Sequence, residues 1–280
     1  MKPPAAYTVR PFPPERQLTI EGGQLAVRKH TVTALIEADV TLARRRLRAQ
    51  AAQTGVALSF TAFILACLGR AVNADRALHA YRDWRGRLVI FDDVDVNISV
   101  EIDHEGRKKV LPHIIRGANT RAVRDLHDEI RAVQARPAAT RSLRMAWFVR
   151  LPRWARQVFY WYIFRNPAAL KEGFGTVGLT AVGMFGQGGG WAIPFGVHTL
   201  DVGVGGIARR PALEPDGGLA QHEYLCLTLL FDHDVVDGAP AARFTERLRE
   251  LIESAYGLAE YPGEDSAATP PSTRAGVSAA

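Results

Sequence analysis

The chain has 280 residues, of which 47% are hydrophobic and 23% charged, with a formal net charge of +6. That mix excludes a disulfide-stapled mini-domain and a low-complexity chain, and it fits a globular protein large enough to build its own core. No run reaches the roughly 18 apolar residues that span a bilayer, and the opening MKPPAAYTVRPFPPER has no apolar core of a secretory signal.

The basic excess is modest. It favours anionic small molecules or a solvated basic surface, and no nucleic-acid fingerprint accompanies it. The two cysteines, Cys67 and Cys226, stand in the apolar runs FILACLG and EYLCLTLLF and are expected as buried thiols of a reducing, cytoplasmic compartment. No cysteine or histidine cluster has the spacing of a metal site, so no metal is expected.

In chain order, residues 1–15 read as an extended, proline-rich arm. The segment ADVTLARRRLRAQAAQ reads as a capped helix, and SFTAFILACLGRAV as a buried one. The Val- and Ile-rich alternation of RLVIFDDVDVNISVEID predicts two strands, and KKVLPHII a further extended segment. After Asn119 and Thr120, the spacing of Val123, Leu126, Ile130 and Val133 predicts a helix. GTVGLTAVGMFG, LDVGVGGIARRP and HEYLCLTLLFDHD read as strands. Phe244, Leu248, Leu251, Ile252 and Ala255 then share a helical face after Gly238 and Ala239. Residues 259–280 are small and polar and are expected to be disordered. Helices and strands mix without regular βαβ alternation, so the class is α+β, with one domain over 16–258.

Chemistry concentrates in FDHDVVDG. His233 leaves a strand just before a glycine-started helix, an element boundary of the kind that active sites use. Taken by spacing alone, His233 and Asp237 fit a satisfied core histidine and a capping aspartate better than a catalytic pair. The stretch TLLFDHDVVDGAPAARFTERLRELIE, however, resembles the end of the catalytic core of dihydrolipoyl acyltransferases from 2-oxoacid dehydrogenase complexes. Its His-x-x-x-Asp-Gly pattern, here His233, Asp237 and Gly238, is shared with chloramphenicol acetyltransferase. GTVGLTAVGMFG, VGVGGIARRP, DVNISVEIDHEGRKKVLPHIIRGAN and SFTAFILACLGRAV resemble further parts of that family, so the likeness covers about residues 16 to 257.

The resemblance implies a chloramphenicol acetyltransferase-like mixed sheet flanked by helices, assembled as a homotrimer or a larger cage. It implies acyl transfer between coenzyme A and a thiol or hydroxyl acceptor. His233 would be the general base and Thr180, where the family has serine, the oxyanion donor. It further implies that Asp237 is a structural carboxylate paired with an arginine, Arg16 or else Arg28. Asp234 departs from the basic residue common after the family's histidine. His198 is a candidate channel-lining residue. No lipoyl hairpin precedes the core, so the acyl group is expected from acyl-CoA or from a lipoyl domain on a separate chain. An oligomeric scaffold of the same fold with little catalysis is the alternative.

One segment goes beyond the resemblance. RSLRMAWFVRLPRWARQVFYWYIFRNPAALKEG, within residues 138–172, holds three of the five tryptophans, interrupted by arginines and Pro152. Three readings stay open for it: a subunit-interface helix, a helix lying on a membrane surface, or a cover over the acyl channel.

Overall fold

The computed structural model describes residues 7–13, 16–104, 107–135, 148–181, 188–214 and 216–260. Among them the helices are α1 (Arg16–Ala26), α2 (Thr41–Thr54), α3 (Phe60–Ala74), α4 (Val123–Ala135), α5 (Arg153–Arg165), α6 (Pro167–Phe174) and α7 (Gly238–Glu253). The strands are β1 (Thr31–Asp39), β2 (Tyr81–Arg82), β3 (Leu88–Val89), β4 (Val96–His104), β5 (Arg107–Ile115), β6 (Val177–Ala181), β7 (Leu200–Leu213) and β8 (Leu219–Asp232). Six strands form one mixed sheet in the order β1-β8-β7-β6-β4-β5, and β2 and β3 form a separate hairpin.

The predicted elements are present, and α1, β1, β2 and α6 are additions to those read from the sequence. Of the two strands read in residues 87–103, the first shrinks to Leu88–Val89 and leaves the main sheet to pair with Tyr81 and Arg82. The cap position of α2 is Val40, which makes no side-chain capping bond, and the Asp39 carboxylate just before it accepts from the Thr41 N–H at 2.8 Å. Pro152 stands immediately before α5 as its N-terminal cap residue. The GMFG turn, residues 136–147 with the start of the aromatic segment, and residues 261–280 lie outside the described residues.

The core lies between the sheet and helices α3, α4 and α7. In α3 ten of fifteen residues are buried, which is why its sequence is apolar on every side. Phe63, Leu65 and Leu68 are fully buried there, each contributing on the order of 2 kcal/mol. Along β4 the even positions Val96, Ile98, Val100 and Ile102 are buried toward the helices, the period-two signature of a sheet with one packed face. The last eight residues of β8 are buried on both sides, so that stretch reads as a continuous apolar run.

What covers the second face is chain segment 188–199. It lies so close to β7 that a Cβ on Gly205 would stand 2.1 Å from the Gly190 carbonyl oxygen, and only glycine admits that approach. The Gly206 N–H donates to the same carbonyl at 2.9 Å, and the β7–β8 register shifts between Val204 and Ile207. Outside the sheet, α5 is bolted to α1 by a buried ion pair. Arg156 Nη2 lies 2.7 Å from Glu21 Oε1, and its Nε spans both carboxylate oxygens at 3.0 and 3.1 Å. Burial would raise the Glu21 carboxyl, but the Arg156 guanidinium holds it below its ordinary value.

Candidate active site

His233 sits at the tip of a tight turn that the sequence builds from its own aspartates. The Asp232 carbonyl accepts from Val235 and Val236 N–H at 3.0 Å each, and its side chain accepts from the Asp234 N–H at 3.2 Å. Val236 is buried and fixes the far side of the turn. The His233 N–H donates to the His30 carbonyl at 2.8 Å, which leaves the imidazole exposed at the end of the sheet.

Two basic residues ahead of β1 clamp this turn. Lys29 Nζ lies 2.6 Å from Asp232 Oδ2 and donates to the His198 carbonyl at 3.0 Å. His30 Nδ1 lies 2.8 Å from Asp234 Oδ1. That contact raises the His30 imidazole above its ordinary value and lowers the Asp234 carboxyl. Asp234 therefore faces His30, a partner the sequence did not suggest. The cause is register: β1 pairs antiparallel with β8, Thr31 opposite Asp232, so the residues just before β1 fall beside the turn just after β8. A sequence pattern shows two strands but not which pair, so only the basic doublet Lys29–His30 hinted at this role.

Asp237 occupies the N-terminal cap position of α7, with Gly238 as the first helical residue. Its carbonyl accepts from Ala241, but its carboxylate makes no capping bond. The expected pairing with Arg16 is not formed: Arg16 is exposed at the start of α1, and no ion pair joins it to Asp237. Neither does Arg28 pair with Asp237. The cation brought to this turn is Lys29, and it binds Asp232 instead. The reason is the helix: α1 directs Arg16 away, while the chain from Lys29 onward runs into β1 beside the turn.

Thr180 lies on β6, half-buried, and lines a pocket of about 390 Å³ with Ser59, Ser99, Glu101 and Arg131. Its register places it opposite Gly203, which is opposite Thr228, five residues before His233 on β8. At about 3.3 Å per residue and two strand spacings of about 4.8 Å, Thr180 and His233 of one chain stand on the order of 20 Å apart. One chain does not bring them together.

His198 is not open to a channel. It is buried, with Nδ1 2.7 Å from Asp201 Oδ1 and Nε2 2.9 Å from the Phe174 carbonyl, so both ring nitrogens are engaged. The His198 N–H also donates to Asp201 Oδ2 at 2.9 Å. This pair occupies the space above β6 at Gly178, where a Cβ would fall 1.8 Å from Asp201 Oδ1. The pair thus fixes the strand that carries Thr180, two residues on. Among the described residues no group of histidine, cysteine and carboxylate side chains has the arrangement to hold a metal ion.

Residues 167–259 match the family model of the 2-oxoacid dehydrogenases acyltransferase (catalytic domain). The chain is 27% identical over 232 residues to the dihydrolipoyllysine-residue acetyltransferase component of the pyruvate dehydrogenase complex of Bacillus subtilis, covering 80% of this chain and 46% of that protein. It spans about half the length of the curated relatives it matches. A probable dihydrolipoamide acetyltransferase from Listeria monocytogenes superposes with a TM-score of 0.67 at 16% identity, covering 89% of this chain and 95% of that one. The dihydrolipoamide acetyltransferase of Azotobacter vinelandii, in a study of a serine, a histidine and an asparagine in its catalytic mechanism, gives 0.67 at 18% identity, over 89% and 93%. The chain is thus similar to the 2-oxoacid dehydrogenase acyltransferases, in the sequence of residues 167–259 and in the fold of its described residues.

Proposed function

We propose that the chain is an acyltransferase that moves an acyl group between a coenzyme A thioester and a thiol or hydroxyl acceptor. The observation that carries this reading is His233, exposed at the tip of a turn whose backbone and both flanking aspartates are held by Lys29 and His30. Such a clamp sets an imidazole in one place while its ring stays accessible, as a general base requires. In the Azotobacter enzyme the histidine and asparagine under study are four residues apart, the spacing of His233 and Asp237 here.

In this reading His233 takes the proton from the acceptor, which then attacks the thioester carbonyl. The Thr180 hydroxyl donates to the oxygen that gains charge, a contribution of about 3 kcal/mol to barrier lowering for a well-placed donor. Asp237 and Gly238 start the helix behind the turn, and the positive end of that helix faces the carboxylate. The separation of His233 and Thr180 within one chain supports a site shared between two copies, with His233 of one facing Thr180 of the next, in a homotrimer or a larger assembly of trimers. The catalytic unit is taken as residues 16–258. The acyl group comes from acyl-CoA or from a lipoyl group. Two free buried thiols support a cytoplasmic setting.

A thiol-release assay tests the proposal, with a panel of acyl-CoAs offered against dihydrolipoamide and simple alcohols. Release is expected with at least one pair, falling at least about a thousandfold in His233→Ala and about a hundredfold in Thr180→Val. A folded assembly that releases no thiol from any pair would instead point to the scaffold reading.

A further inference from the structure

The aromatic segment is not absorbed by that function. Arg156, Tyr160 and Ile163 form the buried side of α5, and the Glu21–Arg156 pair prevents the helix from rolling. Trp154, Val158, Trp161, Tyr162 and Arg165 fall at i, i+4, i+7, i+8 and i+11, one stripe on the opposite side. That stripe is turned to solvent, with Trp154 72%, Trp161 58% and Tyr162 54% exposed. Across a groove of about 620 Å³ the β2–β3 hairpin adds Trp84, 67% exposed. A contiguous aromatic surface of this kind is costly in water and marks a contact surface.

Charge selects the contact. Residues 141–166 contain six arginines and neither aspartate nor glutamate, and Arg156 is spent inside on Glu21. Arg165 lies over the Trp161 ring at 4.7 Å and Arg85 over the Trp84 ring at 4.6 Å, so indoles and guanidinium groups are stacked together on this surface. Indole rings stacked with cations suit the headgroup zone of a bilayer, where rings seat below the phosphates that the guanidinium groups bind. A two-fold contact of this surface with itself would set arginine against arginine with no acid on α5 to offset them, and a contact with a different face of a second copy is the outcome that assembly size distinguishes. No helix among the described residues is long and apolar enough to cross a membrane.

We propose that the outer stripe of α5, together with the tip of the β2–β3 hairpin, docks the protein on a bilayer surface rich in anionic phospholipid. This holds whether or not the acyl-transfer reading is right.

The test is co-sedimentation of the full chain with vesicles of phosphatidylcholine alone and of phosphatidylcholine mixed with phosphatidylglycerol, with bromine-labelled lipid as a quencher of tryptophan fluorescence. Binding is expected only to the anionic vesicles, with quenching, and it should weaken as salt rises. Each of Arg153→Gln and Arg165→Gln should weaken it about fivefold. Trp154→Ser/Trp161→Ser should abolish quenching at those positions and weaken binding more than tenfold, with melting temperature and assembly size unchanged. Absence of binding to the anionic vesicles would overturn the proposal. So would equal binding to both vesicle types, or a tryptophan double variant whose assembly size changes without lipid, which would place the stripe between copies or against another protein.

Discussion

His79 is fully buried at the junction of the β2–β3 hairpin and the main sheet. Its Nδ1 is 2.9 Å from Thr176 Oγ1. Burial pushes the imidazole down to about 4, against the opposing effect of a backbone hydrogen bond at Phe91, with smaller contributions from Lys171 and Arg76 in the direction of burial. The unfolded chain protonates near 6.5, so between those values the unfolded state binds a proton that the folded state refuses. The contribution is therefore fully present above about pH 6.5 and is lost as pH falls toward 4. A gap of about two and a half units amounts to about 3 kcal/mol. Urea unfolding at a series of pH values measures it, with His79→Asn beside the wild type. Asparagine keeps a donor near Nδ1 and does not titrate. Both proteins share every other acid-titrating group, so the difference between their stability–pH curves isolates His79. The wild type is expected to lose about 3 kcal/mol more than the variant across this window. Parallel curves would refute the reasoning and mean that water or a local opening protonates His79 in the folded state.

Two substitutions test the supports of the candidate site. Gly178→Ala puts a methyl group 1.8 Å from Asp201 Oδ1 and 2.7 Å from His198 Nδ1, forcing apart a buried pair. A loss on the order of 3 kcal/mol is expected in thermal or urea unfolding, and a wild-type melt would contradict the close packing. Lys29→Met leaves the buried Asp232 carboxylate without its cation. It is expected to destabilise by about 3 kcal/mol and to lower kcat more than it raises KM. Lys29→Arg should restore part of both, and an unchanged kcat would remove Lys29 from the positioning of His233.

The sequence by itself determined the periodic elements. Alternation in β4, the all-round apolar α3 and the face of Phe244, Leu248 and Ile252 in α7 each record a local burial pattern, and each appears in the structure. It also placed His233 at a strand-to-helix boundary, because the turn is made by Asp232 and Asp234 within four residues. What it did not contain was pairing. Only the antiparallel register of β1 on β8 brings Lys29 and His30 to Asp232 and Asp234, and only the path of α1 turns Arg16 away and sends Glu21 to Arg156 instead. Only segment 188–199 folding over the open sheet face buries His198 against Asp201 and makes a structural pair of a candidate channel histidine. These contacts join residues as far as 204 positions apart, and local patterning carries no information about which distant strand becomes a neighbour. The separation of Thr180 from His233 follows from the same sheet order, and that order is why a site using both needs more than one chain.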